Sequence, residues 1–303
     1  MLDKKVRKRL HVGGQAVIEG VMMRSPTRIA TAVRNPEGEI VVRAEQFTSL
    51  TKRYRLLNLP VVRGAITLVE TFVIAVKALS FSADQATAED SKGRPEESGK
   101  SYSRFHMSLI VLSAVVLGFT IFFYLPLILT ERFGFKSGFL FNLVDGFFRC
   151  AFIFLYIFFI TKWKEMKRVF EYHGAEHKTI FAFEEEGDVS LETILKYPRV
   201  HPRCSTSFLL LVVIVSVVLF IILGKPESLA DRMVRFSFVP VIGGISYEVL
   251  RLTAKPSLKH YLGFLSWPGL FLQRYTTREP SSDQIEVAIA ALNASLSDNL
   301  LET

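Results

Sequence analysis

The chain has 303 residues and a formal net charge of +8, and half of its residues are hydrophobic, among them 26 phenylalanines. The apolar residues are concentrated in long runs, which excludes an ordinary soluble domain and predicts a mostly α-helical, polytopic membrane protein with the lipid bilayer as its partner. No basic helix or aromatic-basic platform accompanies the positive charge, so we expect no nucleic-acid partner.

Residues 1–58 are predicted to form a small Gly-rich, β-containing cytosolic unit. Two strand candidates flank the turn sequence Asn-Pro-Glu-Gly at 35–38. Before them, the glycine-rich stretch 13–24 carries Glu19 and Arg24, which we predict to face a cleft and bind a substrate. The alternative is an ordinary pair of turn-rich strands.

Residues 59–83 are predicted to form an amphipathic helix at the membrane interface. Arg63, Glu70 and Lys77 recur every seven residues along it, and each charge would cost about 2.5–3.5 kcal/mol near the bilayer centre. We therefore do not expect this helix to span the membrane. Residues 84–106 are rich in Ser, Glu, Lys, Gly and Pro, which predicts a flexible linker.

Four apolar runs are predicted to cross the membrane, two within 107–161 and two within 207–252. The loop 162–206 between the two pairs holds eight Lys and Arg residues, whereas the loop inside each pair holds two. Because positively charged loops stay in the cytoplasm, this asymmetry predicts about four transmembrane helices, with loop 162–206 and both termini cytoplasmic.

The remaining segment, 253–303, is predicted to be cytosolic or interfacial. Residues 261–272 are apolar but too short to span, and Trp267 suits the membrane interface. Residues 282–301 have the caps and the apolar face of a terminal helix.

One ion pair is expected inside the bundle. Asp145 and Arg149 are four residues apart in the second apolar run, so we predict a structural pair that faces the other helices. The alternative is a proton or ion pathway through these residues and Glu248. Four spans are few for a transporter that acts alone.

The chemistry of the chain centres on an H-x-x-E-H sequence formed by His173, Glu176 and His177. Residues i and i+4 share one face of a helix, so the two imidazoles are predicted to bind one divalent metal ion, with zinc the expected ion. Glu176 lies close enough to that face to take a proton from a water on the metal, which is the chemistry of the reversed zinc-protease motif. The alternative is a surface helix with two solvated histidines.

A glycine interrupts this helix within the motif. Gly174 costs the helix about 1 kcal/mol relative to alanine, which predicts that another backbone segment or a substrate approaches there. The alternative is a helix break, which would undo the i, i+4 geometry of the histidines.

A catalytic zinc site has three protein ligands and one open position. His201, Glu248 and Cys204 are, in this order, our candidates for the third ligand, because each is expected near the cytoplasmic end of a span. Arg203 is predicted to bind an anion such as a lipid phosphate. The alternative for His201 and Cys204 is a polar cap on the third span. We also expect Glu19 to approach the same cleft.

Four stretches of the sequence carry a family resemblance: G-G-Q-A-V-I-E-G-V-M-M-R, Y-H-G-A-E-H-K, H-P-R-C-S-T-S-F, and T-R-E-P followed by I-E-V-A-I-A-A-L near the C terminus. They resemble the bacterial DUF1385 family of unknown function, whose members are described as predicted metal-dependent enzymes. The resemblance implies a multi-pass protein of the bacterial cell (inner) membrane, and it implies no substrate. The motif residues that correspond in this chain are Glu19, His173, Glu176, His177, His201 and Cys204.

Two functions are in competition at this point. The first is a metal-dependent hydrolase at the cytoplasmic membrane surface, acting on a lipid or a membrane protein through attack on a peptide, lipid-ester or phosphoester bond. The second is a non-enzymatic membrane scaffold or transport component in which a structural metal joins the cytosolic loop to the N-terminal unit. A closed site with four protein ligands would favour the second. The sequence leaves the oligomeric state open.

Overall fold

The computed structural model describes residues 12–86, 104–202, 204–253 and 263–296. The strands are β1 (Gly13–Val17), β2 (Gly20–Arg24), β3 (Arg28–Arg34) and β4 (Ile40–Gln46). The helices are α1 (Leu50–Arg53), α2 (Val62–Ala86), α3 (Arg104–Phe119), α4 (Leu125–Arg132), α5 (Gly138–Ile160), α6 (Lys164–Glu185), α7 (Leu191–Leu195), α8 (Ser205–Leu223), α9 (Leu229–Ser237), α10 (Val239–Thr253), α11 (Trp267–Thr276) and α12 (Ser282–Leu296). The predicted class, mostly helical with a small N-terminal β unit, is confirmed.

The four strands form one antiparallel sheet in the order β1-β2-β3-β4. Each strand is joined to the next by a short turn, and the predicted turn at 35–38 is present, with Gly38 at a φ of 88° that favours glycine. Side chains alternate between the two faces of the sheet. Val17 and Val33 pack on one face, and Val21 and Met23 pack on the other.

Helices cover both faces of the sheet. The second half of α2 covers one face through Ile74 and Ala78. On the other face, α6 and α12 share a buried core with the strands that includes Tyr172, Ile285 and Leu292. We call β1–β4 with α6, α7 and α12 the sheet–helix domain, since these elements bury one common core.

Five helical segments are long and apolar enough to cross a membrane: 62–86, 108–132, 138–160, 206–223 and 229–253. They indicate a multi-pass membrane protein. Four of them are the predicted spans, and the fifth is α2, which the sequence analysis assigned to the interface. The count of about four is therefore not confirmed by length and composition alone.

The segment 108–132 is one continuous rod that contains an irregular turn. Residues Thr120–Tyr124 form a π-helical turn between α3 and α4, directly before Pro126. Proline lacks an N–H and its ring clashes with the preceding turn of a helix. The wider π-helical turn makes room for the proline ring, so the helix continues through residue 132. The predicted linker 84–106 lies mostly outside the described residues.

A polar cluster is buried within the bundle. Asp145 accepts a 2.9 Å hydrogen bond from Arg149, and both residues are buried, which confirms the predicted pair. The Arg149 guanidinium also lies 4.0 Å from the centre of the Phe123 ring. A charge in an apolar environment needs such partners, so these contacts account for the pair as a structural element.

Two helices meet at glycines near the sheet–helix domain. A Cβ atom at Gly64 of α2 would lie 2.8 Å from the Cα atom of Gly244 in α10. The absence of side chains lets the two backbones pack in direct contact. This contact brings the first turns of α2 and the last turns of α10 to the edge of the sheet, beside the site described next.

Candidate metal centre

A cavity of about 390 Å³ lies where the sheet–helix domain meets the apolar helices. Its lining includes the β1 backbone and the motif face of α6. Leu68 of α2, Phe208 of α8 and Leu250 of α10 contribute apolar side chains to the same lining. His173, Glu176, His177, His201 and Cys204 all line the cavity, so five of the residues singled out in the sequence share one space.

Three of these side chains form a compact donor group. The nearest donor atoms of His173, His177 and Cys204 all lie within 4.8 Å of one another. The Nε2 atom of His173 is 3.3 Å from the Cys204 sulfur, and the two imidazole centroids are 4.3 Å apart. Two imidazoles and a thiol are a donor set that zinc accepts.

The tautomer of both imidazoles follows from their outer hydrogen bonds. His173 Nδ1 lies 2.8 Å from the carbonyl oxygen of Thr276, and His177 Nδ1 lies 2.6 Å from that of Arg199. A carbonyl oxygen only accepts hydrogen bonds, so each Nδ1 carries the proton and each Nε2 keeps its lone pair. A backbone carbonyl behind the ring is the usual support of a metal-binding histidine.

One nitrogen in the group makes no hydrogen bond of normal geometry within the described residues. It is the buried Nε2 atom of His177, beside the Cys204 thiol. A buried polar atom without a partner is costly, and a lone pair aimed at a neighbouring thiol and imidazole suits a cation. The residues therefore fit a divalent metal. Burial also lowers the pKa of His177, which favours the neutral form that ligates metals.

Gly174 positions the carbonyl that supports His173. A Cβ atom at this position would overlap the carbonyl oxygen of Arg278, and the Arg278 N–H donates to the carbonyl of Phe170 at 2.8 Å. The segment that follows α11 thus crosses α6 directly over the glycine, and α6 continues without a break. The predicted close approach of another backbone segment at Gly174 is confirmed.

Cys204 is held at the start of α8. It is the N-cap residue, and its sulfur accepts a hydrogen bond from the Thr206 N–H at 3.4 Å. A turn closes in front of it through the Cys204 N–H and the His201 carbonyl at 3.3 Å. The residue is both a polar cap, as the alternative interpretation held, and a member of the donor group.

Glu176 lies between the donor group and β1. Its carboxylate accepts a hydrogen bond from the Gly14 N–H, and a Cβ atom at Gly14 would lie 2.8 Å from Glu176 Cγ. Burial raises the pKa of the Glu176 carboxyl, while His173, His201 and the Gly14 hydrogen bond oppose that shift. A carboxyl with a raised pKa in a cavity beside metal-type donors has the environment of a general base.

Residues 59–298 match the family described as "Protein of unknown function (DUF1385)". The chain belongs to the DUF1385 family. The "Uncharacterized protein YqhQ" of Bacillus subtilis (strain 168) is 32% identical over 293 residues, which cover 93% of this chain and 91% of that protein. The resemblance drawn from the four sequence motifs is confirmed. No solved structure matches the chain significantly.

His201 of this DUF1385 protein lines the cavity one ring away from the donor group. Its ring centroid is 5.7 Å from that of His177 and 4.4 Å from that of Phe181. The backbone N–H of His201 donates a hydrogen bond to Gln273 Oε1 at 2.8 Å. Burial lowers the pKa of His201 to about 4, with Glu176 acting against the shift. The imidazole is therefore neutral at pH 7, and its 3.9 Å distance to Glu184 is not a charged pair.

Glu248, a candidate third ligand, is not among the residues that line the cavity of this DUF1385 protein. Glu248 faces Arg63 of α2, which donates to it at 2.6 and 2.5 Å, while the neighbouring Tyr247 and Leu250 line the cavity. The sequence analysis considered a pair between Glu248 and Arg251 in the next turn, but the bidentate partner is 185 residues away in sequence. Arg203 lies outside the described residues.

Glu19 and Arg24 make anchoring contacts on the sheet. Glu19 has a φ of 51° and accepts from Arg168 Nε at 2.5 Å, so it ties the β1–β2 turn to α6. Arg24 lies 4.3 Å from the centre of the Phe47 ring and 3.7 Å from Glu70. Neither residue lines the cavity, and their role in substrate binding stays a prediction.

Several contributors to the site were not foreseen from the sequence. The carbonyls of Thr276 and Arg199 support the imidazoles, Gln273 holds the His201 turn, and the β1 backbone forms a cavity wall. Main-chain carbonyls carry no signal in a sequence. Gly174 indicated that another backbone segment approaches the helix, but it did not indicate which segment.

Proposed function

We propose that this DUF1385 protein is a metal-dependent hydrolase at the membrane surface, in which His173, His177 and Cys204 hold a divalent metal ion. One observation carries the proposal. Two imidazoles present unprotonated Nε2 atoms, one of them without a partner among the described residues, to a thiol inside a cavity. We expect zinc, because a thiolate with two imidazoles is a ligand set for a borderline-soft ion.

The bound metal supplies Lewis acidity and makes water nucleophilic near neutral pH. Three protein ligands leave one tetrahedral position open. Glu176, in the same cavity wall, accepts the proton of the attacking water and returns it to the leaving group. The Gly14 N–H fixes the carboxylate for this task.

The alternative is a structural metal site in a non-enzymatic scaffold or transport component. His201 is the residue that would close such a site, because its ring is adjacent to that of His177. Against this stands the cavity of about 390 Å³ at the donor group. A structural site is closed by protein ligands and needs no cavity.

We also propose that four helical segments cross the membrane and that α2 lies at the interface. The packing of β1 and β2 on α6 supports this count. Segments 108–132 and 138–160 separate the sheet from α6, and two crossings return the chain to the side on which it began. A further crossing by α2 would put the sheet and α6 on opposite sides. We assign the sheet–helix domain and both termini to the cytoplasm of a bacterial inner membrane, because loop 162–206 holds eight Lys and Arg residues.

The test is hydrolysis by the purified, detergent-solubilised protein, with unstructured peptides, phospholipid vesicles and a phosphodiester as probes. We expect one probe to be turned over, and Glu176→Gln to lower the rate by about 10²–10⁴-fold while it keeps the metal. Glu171→Gln is the matched control, since Glu171 binds Gln284 outside the cavity. If metal-loaded protein turns over none of the probes, or if Glu176→Gln and Glu171→Gln behave alike, the hydrolase proposal fails.

A further inference from the structure

The outer edge of the sheet forms a wall of the cavity. β1 has one neighbour, β2, in the sheet, and residues Gly13 to Ala16 line the cavity. An edge strand presents backbone donors and acceptors with a period of two residues. A substrate in the cavity therefore lies against a row of peptide groups.

The register identifies which groups point outward. Val17 and Gly20 close the two-residue turn between β1 and β2, so Val17, Gln15 and Gly13 exchange hydrogen bonds with β2. Gly14 and Ala16 then direct their N–H and C=O groups away from β2. The hydrogen bond from the Gly14 N–H to Glu176 on α6 agrees with this assignment.

Within the described part of the chain, three outward groups have no assigned hydrogen bond once Glu176 has taken the Gly14 N–H: the Gly14 carbonyl, and the N–H and the carbonyl of Ala16. We propose that the substrate is an extended polypeptide that adds to β1 as an extra strand. This inference rests on the proposed hydrolase function. A partner with its own alternating N–H and C=O groups satisfies all three, and a lipid ester or a phosphoester does not.

Strand addition also places a peptide bond at the catalytic group. Glu176 contacts Gly14, so the substrate peptide opposite Gly14 lies beside Glu176 and the donor group. Water adds to its carbonyl carbon, the C–N bond breaks, and its electron pair stays on nitrogen. The proton that Glu176 accepts from the water passes to that nitrogen, so the products are a carboxylic acid and an amine, which exchange the second water proton to become a carboxylate and an ammonium group.

The position of the cavity defines where such a polypeptide comes from. Leu68, Phe208 and Leu250 line the same cavity as β1, and they belong to helices long and apolar enough to cross a membrane. Gly13, also in the lining, is exposed, and a Cβ atom there would meet nothing within 4 Å. Because the cavity has both apolar helices and exposed backbone in its lining, an extended segment next to a membrane span is the kind of polypeptide that suits it.

The probe is a mixture of unstructured ten-residue peptides, incubated with the full-length metal-loaded protein and analysed by mass spectrometry. The best-cleaved peptide is then resynthesised with each backbone nitrogen methylated in turn. Because a backbone hydrogen bond contributes about a 3- to 10-fold effect, we expect methylation at alternate residues to lower kcat/KM by that factor and methylation between them to change it little. This scan needs no variant of the protein.

A pair of variants tests the same edge from the protein side. Ala16→Pro removes the outward N–H of β1, and proline is tolerated on edge strands at such positions. Ala44→Pro is the matched control on the opposite edge, since Ala44 pairs with Ala30, whose peptide groups bond to β2. We expect Ala16→Pro to lower peptide cleavage about 3- to 10-fold and Ala44→Pro to leave it unchanged.

Hydrogen exchange provides a readout other than activity. The best-cleaved peptide, bound to the Glu176→Gln variant, is expected to slow exchange in the segment that contains Ala16 and not in β4.

Strand addition would be overturned if peptides are cleaved but the methylation scan shows no alternation, and if Ala16→Pro and Ala44→Pro cleave peptides at the same rate. That result would leave the hydrolase proposal intact. Hydrolysis of vesicles of phosphatidylethanolamine and phosphatidylglycerol in the absence of peptide cleavage would overturn the polypeptide substrate alone. Hydrolysis of the phosphodiester alone would likewise overturn only the polypeptide substrate, and turnover of none of the three probes overturns both proposals.

Discussion

At the residue scale, main-chain groups hold the side chains of the proposed metal ligands and of the proposed base in place. His173 and His177 each have one nitrogen fixed by a main-chain carbonyl, and Glu176 is fixed by a main-chain N–H. Ligands that are oriented from behind lose little freedom when they bind a metal. This arrangement favours a site formed by the fold before the metal arrives.

Gly14 offers a test of how Glu176 is positioned. In Gly14→Ala the new Cβ atom would lie 2.8 Å from Glu176 Cγ and 2.9 Å from the Met22 carbonyl oxygen, so the carboxylate has to move. We expect retention of the metal, a loss of activity of at least about 100-fold, and destabilisation of about 1–3 kcal/mol.

Gly13→Ala is the control for this substitution, because a Cβ atom there would meet nothing within 4 Å. Metal content, turnover rate and thermal unfolding of the two variants distinguish loss of metal, loss of catalysis and loss of stability from one another. Equal activities of Gly13→Ala and Gly14→Ala would contradict the assignment of Glu176 as the catalytic base.

The sequence predicted which side chains form the site better than it predicted the groups that hold those side chains in place. H-x-x-E-H on one helix face and the close approach at Gly174 follow from helical geometry and are local. The partners of His173 and Glu248 are 103 and 185 residues away, and no periodicity encodes such contacts. The third-ligand ranking began with His201, whereas the thiol of Cys204 lies in the donor group. The difference arises from the turn at 201–204, which orients the two side chains.

At the element scale, α6 connects the bundle to the sheet and carries the motif. It begins four residues after α5 ends, so its orientation is coupled to a membrane span. It also contacts β1, β2, α7 and α12. The segment that crosses it at Gly174 joins α11 to α12. It directly follows Thr276, the last residue of α11, whose carbonyl supports His173.

Gly174→Ala tests this crossing. The substitution adds helix propensity worth about 1 kcal/mol, yet the Cβ atom would overlap the Arg278 carbonyl oxygen. We expect a net loss of stability of about 1–3 kcal/mol and weaker metal binding, because Thr276 is displaced from His173. Thermal unfolding and metal titration measure the two effects.

Gly118→Ala in α3 is the matched control, since a Cβ atom there would meet nothing within 4 Å. It should be neutral or slightly stabilising by helix propensity. A Gly174→Ala variant that is as stable as Gly118→Ala would show that the crossing segment does not rest on α6 as described.

At the scale of the whole molecule, the sheet–helix domain constrains the topology. Hydropathy alone gives five candidate spans. In the sequence, the stripe of charges at Arg63, Glu70 and Lys77 favoured four spans, because it makes α2 a poor membrane-crossing helix. The structure gives two of these charges partners near the domain: Arg63 pairs with Glu248, and Glu70 accepts from Ser49 at 2.9 Å. These tertiary contacts could not be derived from the chain alone.

The interface is marked by exposed aromatic residues on the segment that contains α11. Phe264, Trp267, Phe271 and Tyr275 are all exposed, with Trp267 at 72%, and their spacing of three and four residues puts them on one helical face. Aromatic residues with a polar end prefer the level of the lipid headgroups. This agrees with a cavity at the membrane surface.

Single-cysteine labelling in whole cells tests the four-crossing arrangement. In a Cys150→Ala, Cys204→Ser background, Glu37→Cys in the β3–β4 turn and Ser190→Cys before α7 should be protected from a membrane-impermeant reagent. Glu227→Cys, between α8 and α9, should be labelled and serves as the positive control. Opposite accessibility at positions 37 and 190 would mean that α2 crosses the membrane, and it would contradict the packing of the sheet on α6.

The measurement that addresses the central claim most directly is X-ray absorption spectroscopy of the purified protein together with its metal content. The His173, His177 and Cys204 site predicts one metal ion per chain, with one sulfur neighbour at about 2.3 Å and nitrogen neighbours at about 2.0–2.1 Å for zinc. The sulfur signal should disappear in Cys204→Ser, and the metal should be lost in His177→Ala. A protein without bound metal, or with a metal that lacks a sulfur neighbour, would contradict the account.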